Sequence, residues 1–155
     1  MTRLETIKTS KASITQRAGR AGRTQPGIVY RLWHEGQTNS LPDFDRPEIL
    51  EADLSSLVLD LAHWGVNDPA QLKWIDPPGQ IAWNEASMLL KNLGGLNQTN
   101  AITDEGKRIR HMPLPARLAR MVLDAVEYGQ QKQAAMLGLL LSEPGLGGNS
   151  PDLEN

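Results

Sequence analysis

The sequence has 155 residues, enough for one domain or two small ones with a buried core, and its lack of cysteine excludes disulfides and thiolate metal sites. Its net charge of −2 is unevenly spread, since residues 1–35 carry seven Lys or Arg against two Asp or Glu, a surplus that predicts contact with a polyanion. No apolar run is long enough to span a membrane and the first residues are no signal peptide, which predicts a cytoplasmic protein without membrane contact.

A strand, a helix and a second strand are predicted over the first 33 residues. Residues 4–8 form a short apolar alternation, and residues 27–33 are richer in β-branched and aromatic side chains. The helix between them begins near Ser10 or Ser13, because Ser13 and Gln16 have the S-x-x-Q form of a capping box and Ser10 is an alternative N-cap. A turn over residues 24–27 ends it. Such a unit belongs in a parallel sheet covered on both faces.

The predicted helix carries the octet of residues 16–23, which holds one glutamine, three arginines and two glycines. At helical spacing Gln16, Arg20 and Arg23 fall on one face, whereas Arg17 points elsewhere. The small residues between them, Gly19 among them, leave room for close approach of a phosphate. Two interpretations are open: a solvated basic segment, or a pair of arginine fingers whose planar forks donate to a phosphoryl group.

The octet matches the Q-R-x-G-R-x-G-R pattern of motif VI in superfamily 2 helicases, and residues 10–13 match its flank in DEAH-box ATP-dependent RNA helicases. The resemblance implies that Arg20 and Arg23 are catalytic and contact the γ-phosphate of ATP from the second RecA-like lobe. It also implies that Gln16 and Gly19 help to form the nucleotide-binding site. Residues 1–36 would then be the end of that lobe.

Residues 37–46 are rich in turn formers and predict a linker. A helix with a leucine-rich face is predicted from Pro47 to a stop at Gly65, and its acidic residues form a solvated face. Asn84 is the predicted N-cap of a second helix that ends at Gly94. A hairpin-like turn over residues 97–100 and a helix capped by Thr103 follow. This order predicts a winged helix over residues 47–112, with Trp64, Trp74 and Trp83 as its packing anchors.

A helical hairpin is predicted over residues 113–143. One apolar stripe runs from Pro115 to a stop at Gly129, and a second helix extends from Gln131 to Leu141. The Gly/Pro/Ser/Asn-rich residues 144–155 lack periodicity and predict a loose tail. The predicted fold is therefore mainly α with minor β: the end of a RecA-like α/β lobe, a winged helix and the start of a helical bundle.

The resemblance extends along these elements, in an order of short landmarks similar to the helicase-associated region of DEAH-box proteins, and the residues from Ser142 to Gly148 are similar to the bacterial HrpB type. It implies that residues 113–143 begin the helical ratchet bundle beside the RNA channel. Arg117 and Arg120 are candidates for contact with single-stranded RNA, although a solvated basic edge explains them equally well. The chain is interpreted as a C-terminal-half fragment of such a helicase, whose partners include the missing RecA-like lobes.

Neither a G-x-x-x-x-G-K-[ST] phosphate loop nor an Asp-Glu-x-His magnesium box occurs in the sequence. The resemblance implies that the full-length enzyme uses ATP and Mg²⁺. Because both motifs are missing here, neither is expected to bind to this chain alone, and the 155-residue chain is predicted to be inactive. His34, His63 and His111 have no ligand-like spacing, so no metal site is predicted. Two alternatives remain: a winged-helix nucleic-acid-binding module with a basic arm, and a non-catalytic interaction domain. The acidic stretch between Asp43 and Asp76 argues against a first helix that faces DNA.

Overall fold

A computed structural model describes residues 8–143, where helices make up nearly all of the regular structure. Backbone contacts separate two units, with the boundary between Pro47 and Glu48. The strand predicted over residues 4–8 lies outside the described residues except for Lys8, which has no regular structure, and the predicted tail from residue 144 lies outside them as well.

The first unit contains α1 (Lys11–Ala21) and the short α2 (Glu35–Asn39). Ser10 begins α1, because its backbone is extended and its side-chain oxygen accepts the N–H of Ser13 at 3.1 Å. The alternative N-cap is thus confirmed, and the capping box of Ser13 and Gln16 is wrong because both residues already lie inside the helix.

The strand predicted over residues 27–33 is not formed. Residues 26–31 have no regular structure, and Ile28, Tyr30 and Leu32 are 78%, 81% and 94% exposed. A strand exists only when its backbone groups pair with a neighbour, and no other segment among residues 8–143 pairs with this one. The β-forming composition is real, but composition alone does not make a strand.

Over residues 48–143, the second unit has five α-helices and two single 3₁₀ turns, at Glu48–Leu50 and Pro69–Gln71. The helices are α3 (Ser55–His63), α4 (Gln80–Asn92), α5 (Asp104–His111), α6 (Ala116–Ala125) and α7 (Gln131–Ser142). The β structure of the described residues is one antiparallel bridge between Leu96 and Ile102. The prediction of a mainly α fold with minor β is confirmed.

Two predicted helix starts are wrong. The helix expected from Pro47 begins at Ser55, because the Asp53 carboxylate accepts the Ser55 N–H at 2.7 Å and starts the helix there. The helix expected to begin after Asn84 begins at Gln80, one turn earlier. Asn84 lies in the first turns of α4 and accepts a hydrogen bond from the Gln80 side chain at 2.9 Å.

Gly65 and Gly94 end α3 and α4 as predicted, whereas α6 already ends at Ala125 and Gly129, its predicted stop, lies at the end of the turn that follows. Gly65, Gly94 and Gly129 have φ values of +84°, +74° and +68°, the left-handed region that costs glycine nothing. In each case the N–H of the next residue reaches back to a carbonyl in the last helical turn, for example from Gly95 to Leu90 at 2.8 Å. This is the Schellman arrangement, which satisfies carbonyls left free at a helix end.

The junction between α4 and α5 is tightly packed. Thr103 caps α5 by accepting the Gly106 N–H at 2.9 Å, and its hydroxyl donates to the Gly94 carbonyl at 2.6 Å. A β-carbon at Gly106 would overlap the Gly95 carbonyl oxygen, so a side chain is excluded there. The predicted cap at Thr103 and the helix end at His111 are both confirmed.

The core of the second unit lies between α3, α4, α5 and α6. Its most buried large side chains are Leu61, Leu90 and Ile109, each at most 2% exposed. Arg110 of α5 donates through Nε to Asp60 of α3 at 2.6 Å, at the edge of this core. The predicted hairpin of α6 and α7 is present, and Gly138 lets α7 lie against Leu114 and Val122.

The predicted tryptophan anchors have different environments. Trp83 is 4% exposed in the core, and Trp74 packs against the core while its indole N–H donates to the Pro69 carbonyl at 2.8 Å. Trp64 is 70% exposed, so its assignment as an anchor is wrong. It is the C-cap of α3, the last position before the chain turns at Gly65.

Candidate nucleotide and RNA contact sites

Helix α1 carries part of the predicted nucleotide site. Gln16 and Arg20 lie four residues apart within it, on one face. Arg23 lies beyond the C-cap Gly22, so the expected common face of all three residues is wrong for Arg23. The helix stops because residues 22–27 turn back on it, close enough that a β-carbon at Gly27 would overlap the Ala21 carbonyl oxygen.

The arginines of the octet are open to solvent. Arg17, Arg20 and Arg23 are exposed, as is Gln16. Within residues 8–143 neither Arg20 nor Arg23 makes a hydrogen bond or an ion pair. A β-carbon at Gly19 would meet nothing within 4 Å, so this side of α1 is unobstructed by the rest of the described chain. The guanidinium donors are thus free to bind an anion.

The predicted linker folds back onto the start of α1. The N–H groups of Lys11 and Ala12 donate to the carbonyls of Pro42 and Asp43 at 2.9 and 3.0 Å. Lys11 Nζ lies 2.9 Å from Asp43 Oδ1, and the Ser13 hydroxyl donates to Asp45 at 3.0 Å. We call this set of contacts between residues 11–13 and 42–45 the linker clamp. It provides partners for donors that the first turn of a helix leaves free.

The electrostatics of Asp45 favour its ionised form. Hydrogen bonds from the side chains of Ser10 and Ser13, with smaller contributions from the Ser10 backbone and the charge of Arg17, hold the pKa of the Asp45 carboxyl below its usual value. A carboxyl with a lowered pKa in the folded state stabilises that state above its unfolded pKa. This contribution is lost as the pH falls through the folded value, so acid weakens the linker clamp.

The two candidate RNA-contacting arginines of α6 differ in their partners. Arg120 Nη1 lies 3.1 Å from Glu105 Oε1, Nη2 lies 2.6 Å from Asp124 Oδ1, and a weak contact reaches the Leu93 carbonyl at 3.4 Å. The hydrogen bond to Asp124 and the nearby carboxylates raise the pKa of Arg120. These contacts join α5, α6 and the end of α4, so the Arg120 donors are already occupied.

Arg117 is the more accessible of the pair. It is exposed and makes no ion pair within the described residues. It borders a hollow of about 230 Å³ that Asp53 and Glu85 also line. These two carboxylates reduce the attraction of the Arg117 charge for a polyanion, although they leave its donors free.

The described residues contain no group of three or more His, Cys, Asp or Glu side chains that could hold a metal ion. His34, His63 and His111 are all exposed. Between residues 8 and 143 no helix is long and apolar enough to cross a membrane. The linker clamp was not predicted, because its partners are some thirty residues apart and no local sequence pattern connects them.

Comparisons with known proteins agree with the resemblance carried by the octet. No family model matches the sequence. The chain is 39% identical to the ATP-dependent RNA helicase HrpB of Escherichia coli K12 over 150 residues, which are 97% of this chain and 18% of HrpB. It is 36% identical to HrpA of the same organism over 138 residues, 86% of this chain and 11% of HrpA.

A yeast protein is also similar to this chain. The chain is 37% identical to the probable ATP-dependent RNA helicase DHR1 of Saccharomyces cerevisiae over 115 residues, 74% of this chain and 9% of DHR1. This chain therefore spans less than a fifth of the length of each of these relatives.

Two crystal structures of E. coli HrpB share the fold. One, described as a DExH-box NTPase, superposes with a TM-score of 0.79 over 97% of this chain and 18% of HrpB. The other, described as a DEAH/RHA helicase, gives a TM-score of 0.83 over 97% of this chain and 19% of HrpB. Both are 39% identical in sequence to this chain. The homologues of this chain, at 36–39% identity, are thus ATP-dependent RNA helicases of the HrpB and HrpA types, and the chain matches one segment of them.

Proposed function

We infer that this chain is part of an ATP-dependent RNA helicase of the HrpB type, an enzyme that couples ATP hydrolysis to movement along single-stranded RNA. The observation that carries this proposal is the octet of residues 16–23 in a chain that aligns over 97% of its length with HrpB. Its Arg20 and Arg23 are exposed and have no partner among residues 8–143. Eight constrained positions are a far more specific signal than a lone glycine motif.

The segments have distinct roles in this proposal. Residues 1–36 end the second RecA-like lobe, residues 37–46 are the linker, residues 47–112 are a winged helix and residues 113–143 begin the ratchet bundle, with residues 144–155 as a tail. The order of α3, α4, the bridge and α5 supports the third assignment. Other parts of the protein supply the phosphate loop and the carboxylates that hold Mg²⁺, since neither motif occurs in this sequence.

The chemical role of Arg20 and Arg23 is electrostatic. As the bond to the γ-phosphoryl group of ATP breaks, charge spreads over its oxygens, and planar guanidinium donors bind those oxygens more strongly than they bind the ground state. Gln16, on the same face of α1 as Arg20, helps to hold the site, and Gly19 leaves room for the phosphates. A Mg²⁺ ion bound with ATP would neutralise further charge.

The test is to express the full-length protein encoded around this sequence and to measure phosphate release with and without single-stranded RNA. ATP hydrolysis that RNA stimulates, together with ATP-dependent unwinding of a tailed RNA duplex, is the expected result. A protein that hydrolyses no ATP, or one that binds RNA duplex in a salt-dependent manner without using ATP, would overturn the proposal in favour of a binding module.

A further inference from the structure

The linker clamp links the arginine-bearing helix to the segment that enters the second unit. Two of its contacts are backbone hydrogen bonds, from Lys11 and Ala12 to residues 42 and 43. The other two are side-chain contacts, Lys11 with Asp43 and Ser13 with Asp45. All four lie on the first turn of α1, and Arg20 lies on its last turn.

The side-chain contacts are poorly placed to stabilise the fold. Lys11 and Asp43 have side chains that are 39% and 74% exposed, and an ion pair so exposed contributes little to stability. Their effect is instead geometric, because they select one orientation of residues 42–45 relative to α1. A variant without these side-chain contacts is therefore expected to fold normally, but residues 42–45 are no longer held in one orientation relative to α1.

The connection from the clamp to the second unit is short and stiff. Only Arg46 and Pro47 separate Asp45 from Glu48, where the second unit begins. Three residues span at most about 11 Å, and proline restricts both its own φ and the residue before it. On the other side of the clamp, α1 carries Arg20 roughly 10 Å from Ser13, at the helical rise per residue.

We propose that Asp43 and Asp45, through Lys11 and Ser13, are positioning residues that couple the second unit to the arginine fingers, so that RNA stimulation of ATP hydrolysis depends on the linker clamp. This inference rests on the proposed function. Movement of the second unit on RNA pulls on residues 46 and 47, and the clamp transfers that displacement to α1 and Arg20. Without the clamp, Arg20 is still present on α1, but a displacement of the second unit no longer moves it.

A charge reversal tests the ion pair in the full-length protein. Lys11→Glu and Asp43→Lys each replace an attraction by a repulsion, and the double variant restores it with the charges exchanged. Each single variant is expected to lower the fold-stimulation of ATP hydrolysis by RNA about fivefold or more, the size of an ordinary coupling between sites, with turnover in the absence of RNA within about twofold of wild type. The double variant recovers stimulation.

The contact between Ser13 and Asp45 is tested by replacing Ser13, with Thr15 of the same helix as the matched control. Ser13→Ala removes one of the two side-chain donors to Asp45 and leaves that of Ser10, whereas Ser13→Thr retains both and is expected to recover stimulation. Thr15→Val removes a hydroxyl that bonds only to the Lys11 carbonyl within α1, and stimulation is expected to be unchanged. Loss of stimulation in Thr15→Val as large as in Ser13→Ala would show a general weakening of the helix and overturn the proposal.

Hydrogen exchange in the 155-residue chain gives a readout independent of activity. The amides of Lys11 and Ala12, which donate to residues 42 and 43, are expected to exchange faster in either charge-reversal variant and at the wild-type rate in the double variant. Unchanged exchange would overturn the clamp itself. A wild-type protein that RNA does not stimulate overturns the proposed function and the coupling together, whereas full stimulation in the single variants overturns the coupling alone.

Discussion

Arg20 and Arg23 differ in what fixes them, although both guanidiniums are exposed and unpaired among the described residues. Arg20 lies in the last turn of α1, so its backbone is held by helical hydrogen bonds. Arg23 lies in the bend after Gly22, where no helical bond holds it. The backbone position of Arg20 is therefore the better defined of the two.

Replacing Arg20 or Arg23 with Lys or Ala in the full-length protein is expected to lower kcat by a factor on the order of 10² or more, because the role proposed for them is to bind charge that develops in the transition state. RNA binding is expected to stay nearly intact. Steady-state ATPase assays at saturating RNA, with a separate binding titration, measure both quantities.

Arg17→Ala is the internal control for that experiment, since Arg17 is equally exposed but points away from the face shared by Gln16 and Arg20. It is expected to matter less to turnover. Equal losses of kcat in Arg17→Ala and Arg20→Ala would contradict the geometry. Weaker RNA binding with unchanged turnover in all three variants would identify a phosphate-tracking basic patch instead.

Arg117 and Arg120 are expected to separate RNA binding from stability. Arg120→Ala removes the partner of Glu105 and Asp124 and is expected to destabilise the 155-residue chain by about 1 kcal/mol or more in urea unfolding. Arg117→Ala is expected to change stability by less than about 0.5 kcal/mol. In the full-length protein it should weaken RNA binding and reduce the salt dependence by about one unit of slope.

The opposite assignment, in which Arg120 and not Arg117 contacts RNA, gives different results in these two assays. If Arg117→Ala leaves RNA binding unchanged while Arg120→Ala weakens it without loss of stability, the ion pairs of Arg120 give way to RNA. The idea of two arginines with separate roles would then be wrong.

The arginines of the octet and of α6 could be predicted as candidates from the sequence, but their partners and exact directions could not. The octet is a contiguous pattern, so its residues and the helix that carries them were predictable. The pairing of Arg120 with Glu105 depends on the packing of α5 against α6. Arg23 does not share the face of Gln16 and Arg20 because the chain turns back after α1, where Gly27 lies close to the Ala21 carbonyl. Both outcomes depend on tertiary contacts that helical spacing does not contain.

The helices of the second unit are defined more sharply at their ends than at their starts. Glycine in the left-handed region marks the ends of α3 and α4, and this signal depends on one residue only. The starts of α3 and α4 depend on which of several turn-forming residues the packed chain selects. This is why Gly65 and Gly94 were predicted correctly and Asn84 was not.

Gly106→Ala is expected to destabilise the chain by roughly 1–3 kcal/mol, because the added β-carbon overlaps the Gly95 carbonyl and the backbone must move. Urea unfolding followed by circular dichroism measures the change. Gly79→Ala, at the N-cap of α4 where a β-carbon meets nothing within 4 Å, is the matched control, with an expected change below about 1 kcal/mol. Equal stability of the two variants would contradict the close approach of Gly106 in α5 to the Gly95 carbonyl.

The unpaired segment of residues 28–32 is expected to exchange its amide hydrogens rapidly in a monomeric 155-residue chain, since no strand among the described residues accepts its hydrogen bonds. Exposed apolar side chains on an unpaired segment also favour self-association. Hydrogen exchange combined with sedimentation tests this. Slow exchange in a verified monomer would show pairing that the structure lacks.

At the scale of the whole molecule, the chain divides its candidate functions between its two units. The first unit carries the exposed arginines of the octet, and the second carries Arg117 beside two carboxylates. The order of the elements was largely predictable from the sequence, because glycine stops and Thr103 delimit the helices. The return of residues 42–45 to α1 was not, and it makes the predicted linker part of the first unit.

The isolated 155-residue chain is expected to release no phosphate from ATP, with or without RNA, because it lacks the phosphate loop and the magnesium-binding carboxylates. Turnover above the buffer blank that rises in proportion to protein concentration would contradict this. A sample of Arg20→Ala prepared in parallel controls for a contaminating ATPase, since true turnover by this chain would fall in that variant.

The uneven exposure of the tryptophans has a practical consequence for spectroscopy. Indole fluorescence shifts to longer wavelengths in water, so Trp64, at 70% exposure, is expected to emit at longer wavelengths in the native state than Trp83, at 4%. Trp33, in the first unit, is 36% exposed and adds a third component. Replacing Trp33 and Trp64 with Phe would leave emission from Trp74 and Trp83 alone. The wavelength of the emission maximum would then report unfolding of the core between α3, α4, α5 and α6, independently of the first unit.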